Sequence, residues 1–287
     1  MRPFTYARPA TLADTLALLA ERGPDARILA GGTDLVIRLR DGSASPVVVV
    51  DVKRVPELAP GIRVDAGTLV IGAGTTMTEL AAHPLVRRDL AGLAEAAAVV
   101  GSVQIRNRAT IAGNLCNASP AADTAPSLLV HGAVIVAAGS AGQRRIPLDG
   151  FFVRSGVTTL APGELVLAIE IPMPASLIAS AHQRRTRRRG HDLASVTLAC
   201  GVDATGVTRV AYGSVGPRPI LRVDASGVLA DPASTDDARA AIFETIFADA
   251  SPSARSMRAG PDYRLAMLRV LGRRALATAQ ARLAAGG

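Results

Sequence analysis

Residues 27–35 read Arg27-Ile28-Leu29-Ala30-Gly31-Gly32-Thr33-Asp34-Leu35: a short apolar run, two glycines, a hydroxyl, an acid, then apolar residues again. This order predicts a strand, a tight turn and a helix running to Leu39. Two glycines let backbone approach a phosphate closely, and a helix start aims free N–H groups at an anion. A strand-to-helix turn with no ligand is the other reading. Working outward, Leu12, Leu16, Leu18 and Leu19 behind a Thr11 cap predict a helix that Gly23-Pro24 ends. The β-branched run from Val47 to Val52 predicts a buried strand, so the chain opens as β-loop-α-β.

The texture changes after Pro56. Ile62-Arg63-Val64 and Leu69-Val70-Ile71 flank Asp65-Ala66-Gly67, the pattern of a β-hairpin with a glycine turn. The following Gly72-Ala73-Gly74-Thr75-Thr76-Met77 imitates a dinucleotide fingerprint. It leaves an antiparallel hairpin and has Met at the third glycine position, which disfavours an NAD-binding Rossmann unit. Helices are expected from Thr78 toward His83 and around Leu90 to Val100. Residues 101–120 look loop-like, and Leu128 to Ala137 has strand character. Pro172-Met173-Pro174 is the expected boundary. Beyond it come paired strands, Leu193 to Val202 and Val207 to Val215, then helices near Asp236 to Ala248 and Pro261 to Leu283.

Composition narrows the function. With 287 residues there is room for two or three compact units. Aromatics are 3% with no Trp, so cores must rest mainly on Ala, Val, Leu and Ile. The net charge of +8 suggests nucleic acid, but it is scattered Arg with Lys53 as the sole lysine, and stacking aromatics are scarce. Cys116 and Cys200 stand far apart, which excludes a four-cysteine iron–sulfur cluster held by this chain alone. His83, His131, His182 and His191 form no metal-binding pair, and no metal site is expected. No signal core or membrane-length apolar run is visible, and a cytoplasmic setting is the expectation.

A second glycine motif is Thr110-Ile111-Ala112-Gly113-Asn114. Gly113 and Asn114 tolerate left-handed backbone, so a nest of N–H groups is one reading; a polar loop capping a helix that starts near Asp123 is the other. Asn117, Ser119 and Asp123 stand by as hydrogen-bonding partners for a ribose or flavin edge. The run Arg184-Arg185-Thr186-Arg187-Arg188-Arg189 is read as a solvated edge or a docking face for an acidic partner. His191-Asp192 is no catalytic dyad, because neighbours on a strand point to opposite faces, and no catalytic nucleophile presents itself.

Taken in order, these motifs resemble those of the FAD-binding (medium) subunits of xanthine dehydrogenase and carbon monoxide dehydrogenase-type molybdenum hydroxylases. The resemblance extends to Ile71–Thr76, Asn117–Asp123, Leu148-Asp149-Gly150-Phe151-Phe152 and Glu164 to Pro172. It continues through Tyr212 to Pro219, Asp262-Tyr263-Arg264 and Arg273-Arg274-Ala275-Leu276. It implies an α+β chain: a two-subdomain FAD-binding fold of the vanillyl-alcohol-oxidase (PCMH) kind, residues 1–55 and 56–174, then a C-terminal antiparallel sheet with helices, residues 175–287.

The same resemblance implies FAD in this chain, held by Ile28, Leu29, Ala30, Gly31, Gly32, Thr33, Asp34 and Leu35 around the diphosphate. Thr110, Ile111, Ala112, Gly113 and Asn114 form the second loop, joined by Ser119, Asp123, Val166 and Arg184. Ala112 replaces a usual glycine; if positive φ is needed there, it costs roughly 1 kcal/mol. Partners are expected to be a small iron–sulfur subunit and a large molybdopterin subunit, forming a heterotrimer that feeds an external electron acceptor. A stand-alone FAD oxidase of the same fold is the alternative.

Overall fold

The computed structural model describes residues 1–173, 178–188 and 190–286. Its first layer is a parallel three-stranded sheet. Strands β1 (Thr5–Ala7), β2 (Ala26–Leu29) and β3 (Val48–Asp51) lie in the order β1-β3-β2. Helices α1 (Leu12–Arg22) and α2 (Leu35–Asp41) make the crossovers. Thr11 caps α1 by accepting from the Asp14 N–H at 3.1 Å. β3 is central and its valines are buried, as an uninterrupted apolar strand between two neighbours requires.

The second layer is a five-stranded antiparallel sheet. Its strands are β4 (Ile62–Asp65), β5 (Thr68–Gly72), β6 (Val134–Gly139), β7 (Gly142–Pro147) and, beyond a small β8 (Phe152–Arg154) and β9 (Val157–Thr158) pair, β10 (Leu165–Pro172). The order is β4-β5-β10-β6-β7. Six short helices intervene between β5 and β6: α3 (Met77–Ala82), α4 (Pro84–Asp89), α5 (Ala91–Ala98), α6 (Val103–Arg106), α7 (Ile111–Cys116) and α8 (Thr124–Val130).

The structure departs from two expectations. The segment 101–120 is not loop: Ser102 and Thr110 cap α6 and α7 through their side-chain oxygens. Leu128-Leu129-Val130 closes a helix and not a strand, because α8 is buried on every side and shows no amphipathic period. The hairpin reading of Gly72 and Gly74 holds. A Cβ at Gly72 would lie 2.3 Å from the Ala59 carbonyl oxygen, and one at Gly74 would lie 2.5 Å from that of Leu58. These glycines serve close backbone packing.

Strands β11 (Ile178–Arg185), β12 (Val196–Asp203), β13 (Thr208–Gly213) and β14 (Ile220–Asp224) form a third, antiparallel sheet in sequential order. Helices α9 (Asp236–Phe247) and α10 (Pro261–Ala284) complete this part, α10 lying along β11 and β12. Its core departs from the aliphatic expectation. Tyr212 meets Phe247 edge-on at 5.4 Å between centroids, and Phe243 stacks on Phe247 at 5.5 Å. The buried Tyr212 hydroxyl donates to the Ile246 carbonyl at 2.9 Å, which avoids the roughly 1–3 kcal/mol cost of an unpaired buried polar group. The expected boundary after Pro174 falls outside the described residues.

Candidate functional site

The first glycine loop leaves β2 at Leu29, whose carbonyl accepts from the Val52 N–H at 3.2 Å. Gly32 takes the left-handed conformation, φ 78°, which turns the chain into α2. Its carbonyl then accepts from Val36 at 3.0 Å, and that of Asp34 from Arg38 at 3.1 Å. Among the described residues no acceptor meets the N–H groups of Gly31, Gly32, Thr33 and Asp34. Four successive N–H groups are thus left without a protein acceptor, in a part of the chain that is only partly covered.

The second motif is anchored on the turn that leads from β5 into α3. The Ile111 N–H donates to the Thr75 carbonyl at 2.9 Å and the Met77 N–H to that of Ala109 at 2.9 Å. The Thr110 hydroxyl oxygen accepts from the Gly113 N–H at 3.2 Å, and Asn114 accepts from the Thr124 hydroxyl at 2.6 Å. The motif is therefore the first turn of a right-handed helix, not a left-handed nest. Ala112 has no positive φ, so the expected penalty does not arise there. Positive φ without glycine occurs instead at Ala118, φ 46°, just past Asn117.

The structure brings the two motifs together. A Cβ on Gly31 would stand 2.0 Å from the Arg108 carbonyl oxygen, so only glycine permits this approach. Asn117 reaches back to α2, donating to Asp34 Oδ1 at 3.2 Å and accepting from Arg38 Nη2 at 2.5 Å. Ser119 holds its own turn by accepting from the Ala121 N–H at 3.2 Å.

Asp123 and Arg184, predicted separately, form an ion pair, Arg184 Nη1 to Asp123 Oδ2 at 2.7 Å. Arg184 also donates to the carbonyls of Val99 at 2.8 Å and Asp192 at 2.9 Å. Asp123 is 6% exposed, and its other oxygen, Oδ1, has no hydrogen-bond partner. His182 Nε2 stands 3.6 Å from it and bonds instead with the Thr197 hydroxyl at 3.0 Å. Sequence reasoning missed His182, Thr197 and Arg38; only the alternation of β11, which puts residues 182 and 184 on one face, hinted at His182. Val166 is buried on β10 beside a bulge, in the strand that packs against α7.

The remaining arginines of the run point elsewhere. Arg185 donates to the Tyr263 hydroxyl at 2.8 Å, Arg187 pairs with Asp192 at 3.2 Å, and Arg188 donates to the His191 carbonyl at 3.3 Å. Arg189 lies outside the described residues. Asp192 is occupied as the partner of Arg187 and of its own turn, and Arg187 holds its carboxyl below the usual range. Among the described residues no group of three acids, histidines or cysteines could hold a metal ion.

The donor set fits a nucleotide flavin. Unpaired backbone N–H groups suit a diphosphate, and a buried carboxylate oxygen lacking a donor suits a hydroxyl-rich chain. The comparisons agree. Residues 2–174 match the family described as the FAD binding domain in molybdopterin dehydrogenase, and residues 181–279 match the CO dehydrogenase flavoprotein C-terminal domain. The carbon monoxide dehydrogenase medium chain of Hydrogenophaga pseudoflava is 34% identical over 98% of both chains. The xanthine dehydrogenase FAD-binding subunit of Escherichia coli O157:H7 is 33% identical over 99% of this chain and 97% of its own. A solved carbon monoxide dehydrogenase from H. pseudoflava superposes with a TM-score of 0.90 at 33% identity, covering 98% of this chain and 99% of that one.

Fold and site thus define a flavoprotein component of a molybdenum hydroxylase. The chain belongs to the family of FAD-binding subunits of molybdopterin-dependent dehydrogenases.

Proposed function

We propose that this chain holds one FAD against the Gly31–Asp34 and Thr110–Asn114 segments, and relays electrons from a partner's iron–sulfur clusters to an external acceptor. The observation that carries this reading is the pairing of the two glycine motifs through Gly31 and Arg108, with free N–H groups beside it. Bound FAD would supply a centre that accepts and releases electrons. The chain's own residues do the rest. The N–H groups of Gly31 to Asp34 bind the diphosphate, with Ile28 to Ala30 and Leu35 framing that loop. Thr110 to Asn114 close the second side, and Ser119 shapes the turn leading to Asp123. Asp123 Oδ1 accepts from the ribityl or ribose hydroxyls. Arg184 stands at the flavin edge with its charge fixed at working pH. Val166 supplies apolar surface.

We assign the residue ranges 1–55, 56–174 and 175–287 as the two flavin subdomains and the C-terminal unit. The complex would be a heterotrimer with a small iron–sulfur subunit and a large molybdopterin subunit, working in the cytoplasm. Relatives of one architecture are named for carbon monoxide, xanthine and quinoline chemistry, which supports a substrate site on the molybdenum partner. The test is reconstitution. The isolated chain should carry FAD yet turn over no purine, aldehyde or carbon monoxide, and turnover should appear only when both partners are added.

A further inference from the structure

Two contacts join the glycine motifs, one at each end of α7. At its start the Gly31 backbone lies against the Arg108 carbonyl. At its end Asn117 sits between Asp34, the residue that precedes α2, and Arg38 within it, giving its amide N–H to Asp34 and taking a donor from Arg38. Asp34 and Arg38 are four residues apart and share one face of α2. The amide therefore relays between a carboxylate and a guanidinium across 79 and 83 positions of sequence. All three side chains are at least partly exposed, so the relay adds little to the apolar core. What it does fix is the distance and angle between the Gly31–Asp34 loop and the Thr110–Asn114 turn.

We propose that Asn117 is a positioning residue for FAD: it latches α2 to α7 so that both loops meet the cofactor as one rigid unit. This rests on the flavin site proposed above. A loop that must be ordered on binding loses affinity to that ordering, and a pre-set spacing avoids the loss. The latch needs one acceptor and one donor at position 117, with an acceptor at position 34.

That requirement gives a test which direct contact with the cofactor would not pass. Asn117→Asp turns the donor toward Asp34 into a second carboxylate facing the first, while its bond from Arg38 survives. Adding Asp34→Asn restores the pattern, because the amide at 34 then donates to the carboxylate at 117. The full-length chain is stripped of flavin and titrated with FAD by fluorescence quenching, alongside thermal melting of the apo forms. Asn117→Asp should weaken binding roughly tenfold, and the double change should recover it to within about threefold, as coupled neighbours do. Asn117→Ala should weaken binding while leaving the apo melting temperature near that of the parent. A double variant no better than Asn117→Asp would overturn the latch, as would unchanged binding in Asn117→Ala. Failure of the parent chain to bind FAD would instead reject the flavin site itself.

Discussion

Asp123 and Arg184 meet at 2.7 Å, a carboxylate at the start of α8 and a guanidinium on β11, 61 positions apart in the chain. Their side chains are 7% and 14% exposed, so the pair is shielded from solvent on most sides. The pair ties the sheet of the C-terminal part to α8, which packs against the helix that carries the second glycine motif. It also sets two opposite charges at the proposed flavin edge, and the balance between them is a handle on potential.

Arg184→Met leaves Asp123 as an uncompensated anion and should lower the flavin's two-electron potential by tens of millivolts; 30 mV is ~1.4 kcal/mol for such a couple. Asp123→Asn should move it the other way. Arg187→Met and Arg188→Met should leave it nearly unchanged, since Arg187 answers Asp192 and Arg188 answers a turn carbonyl. Redox titration of the four variants reads this directly. Equal shifts at all the arginines would mean a diffuse field and no special place for Arg184.

Gly31→Ala should separate the two loops, because its methyl would lie 2.0 Å from a backbone oxygen that cannot turn aside. We expect FAD affinity to fall at least tenfold, about 1.4 kcal/mol. Gly150→Ala, with nothing within 4 Å of its new carbon, is the control and should bind FAD as the parent does. Gly32→Asp should abolish retention, since it places a carboxylate where the diphosphate belongs and strains a left-handed position.

Burial, and behind it the charge of Arg209, pushes His131 down to about 4 from its ordinary 6.5. Its Nε2 lies 2.8 Å from the Ser180 hydroxyl, across the contact between α8 and β11. Between these two pKa values the unfolded chain holds a proton that the folded chain does not. Stability should therefore fall as pH drops through that window, by up to about 3 kcal/mol. Urea midpoints of the apo chain at neutral pH and near the lower pKa measure the loss. His131→Gln should flatten the slope; an unchanged slope would assign it to other groups.

Local pattern made the first glycine loop, the β4–β5 hairpin, α9 and α10 legible, because each is specified by residues adjacent in sequence. α6 and α7 were not legible. They span four and six residues, and α7 depends on a distant segment, through the bond from Ile111 to Thr75 beyond β5, to hold its start. The end of α8 misled for a different reason: Leu128-Leu129-Val130, buried and followed closely by the apolar residues of β6, reads with them as one strand. The candidate residues stood in the sequence as separate motifs, and their joining was invisible. Nothing local links Asp123 to Arg184 or Asn117 to α2, since such contacts exist only once three sheets have packed. The resemblance of the motifs in order, not any one of them, carried the functional reading.

This chain should carry FAD without a covalent tether, and the flavin content of the purified protein tests that most directly. Acid precipitation followed by chromatography of the supernatant should yield FAD at about one per chain, the occupancy of a single formed site. A supernatant without FAD, FMN in its place, or flavin that stays with the precipitated protein would contradict the account.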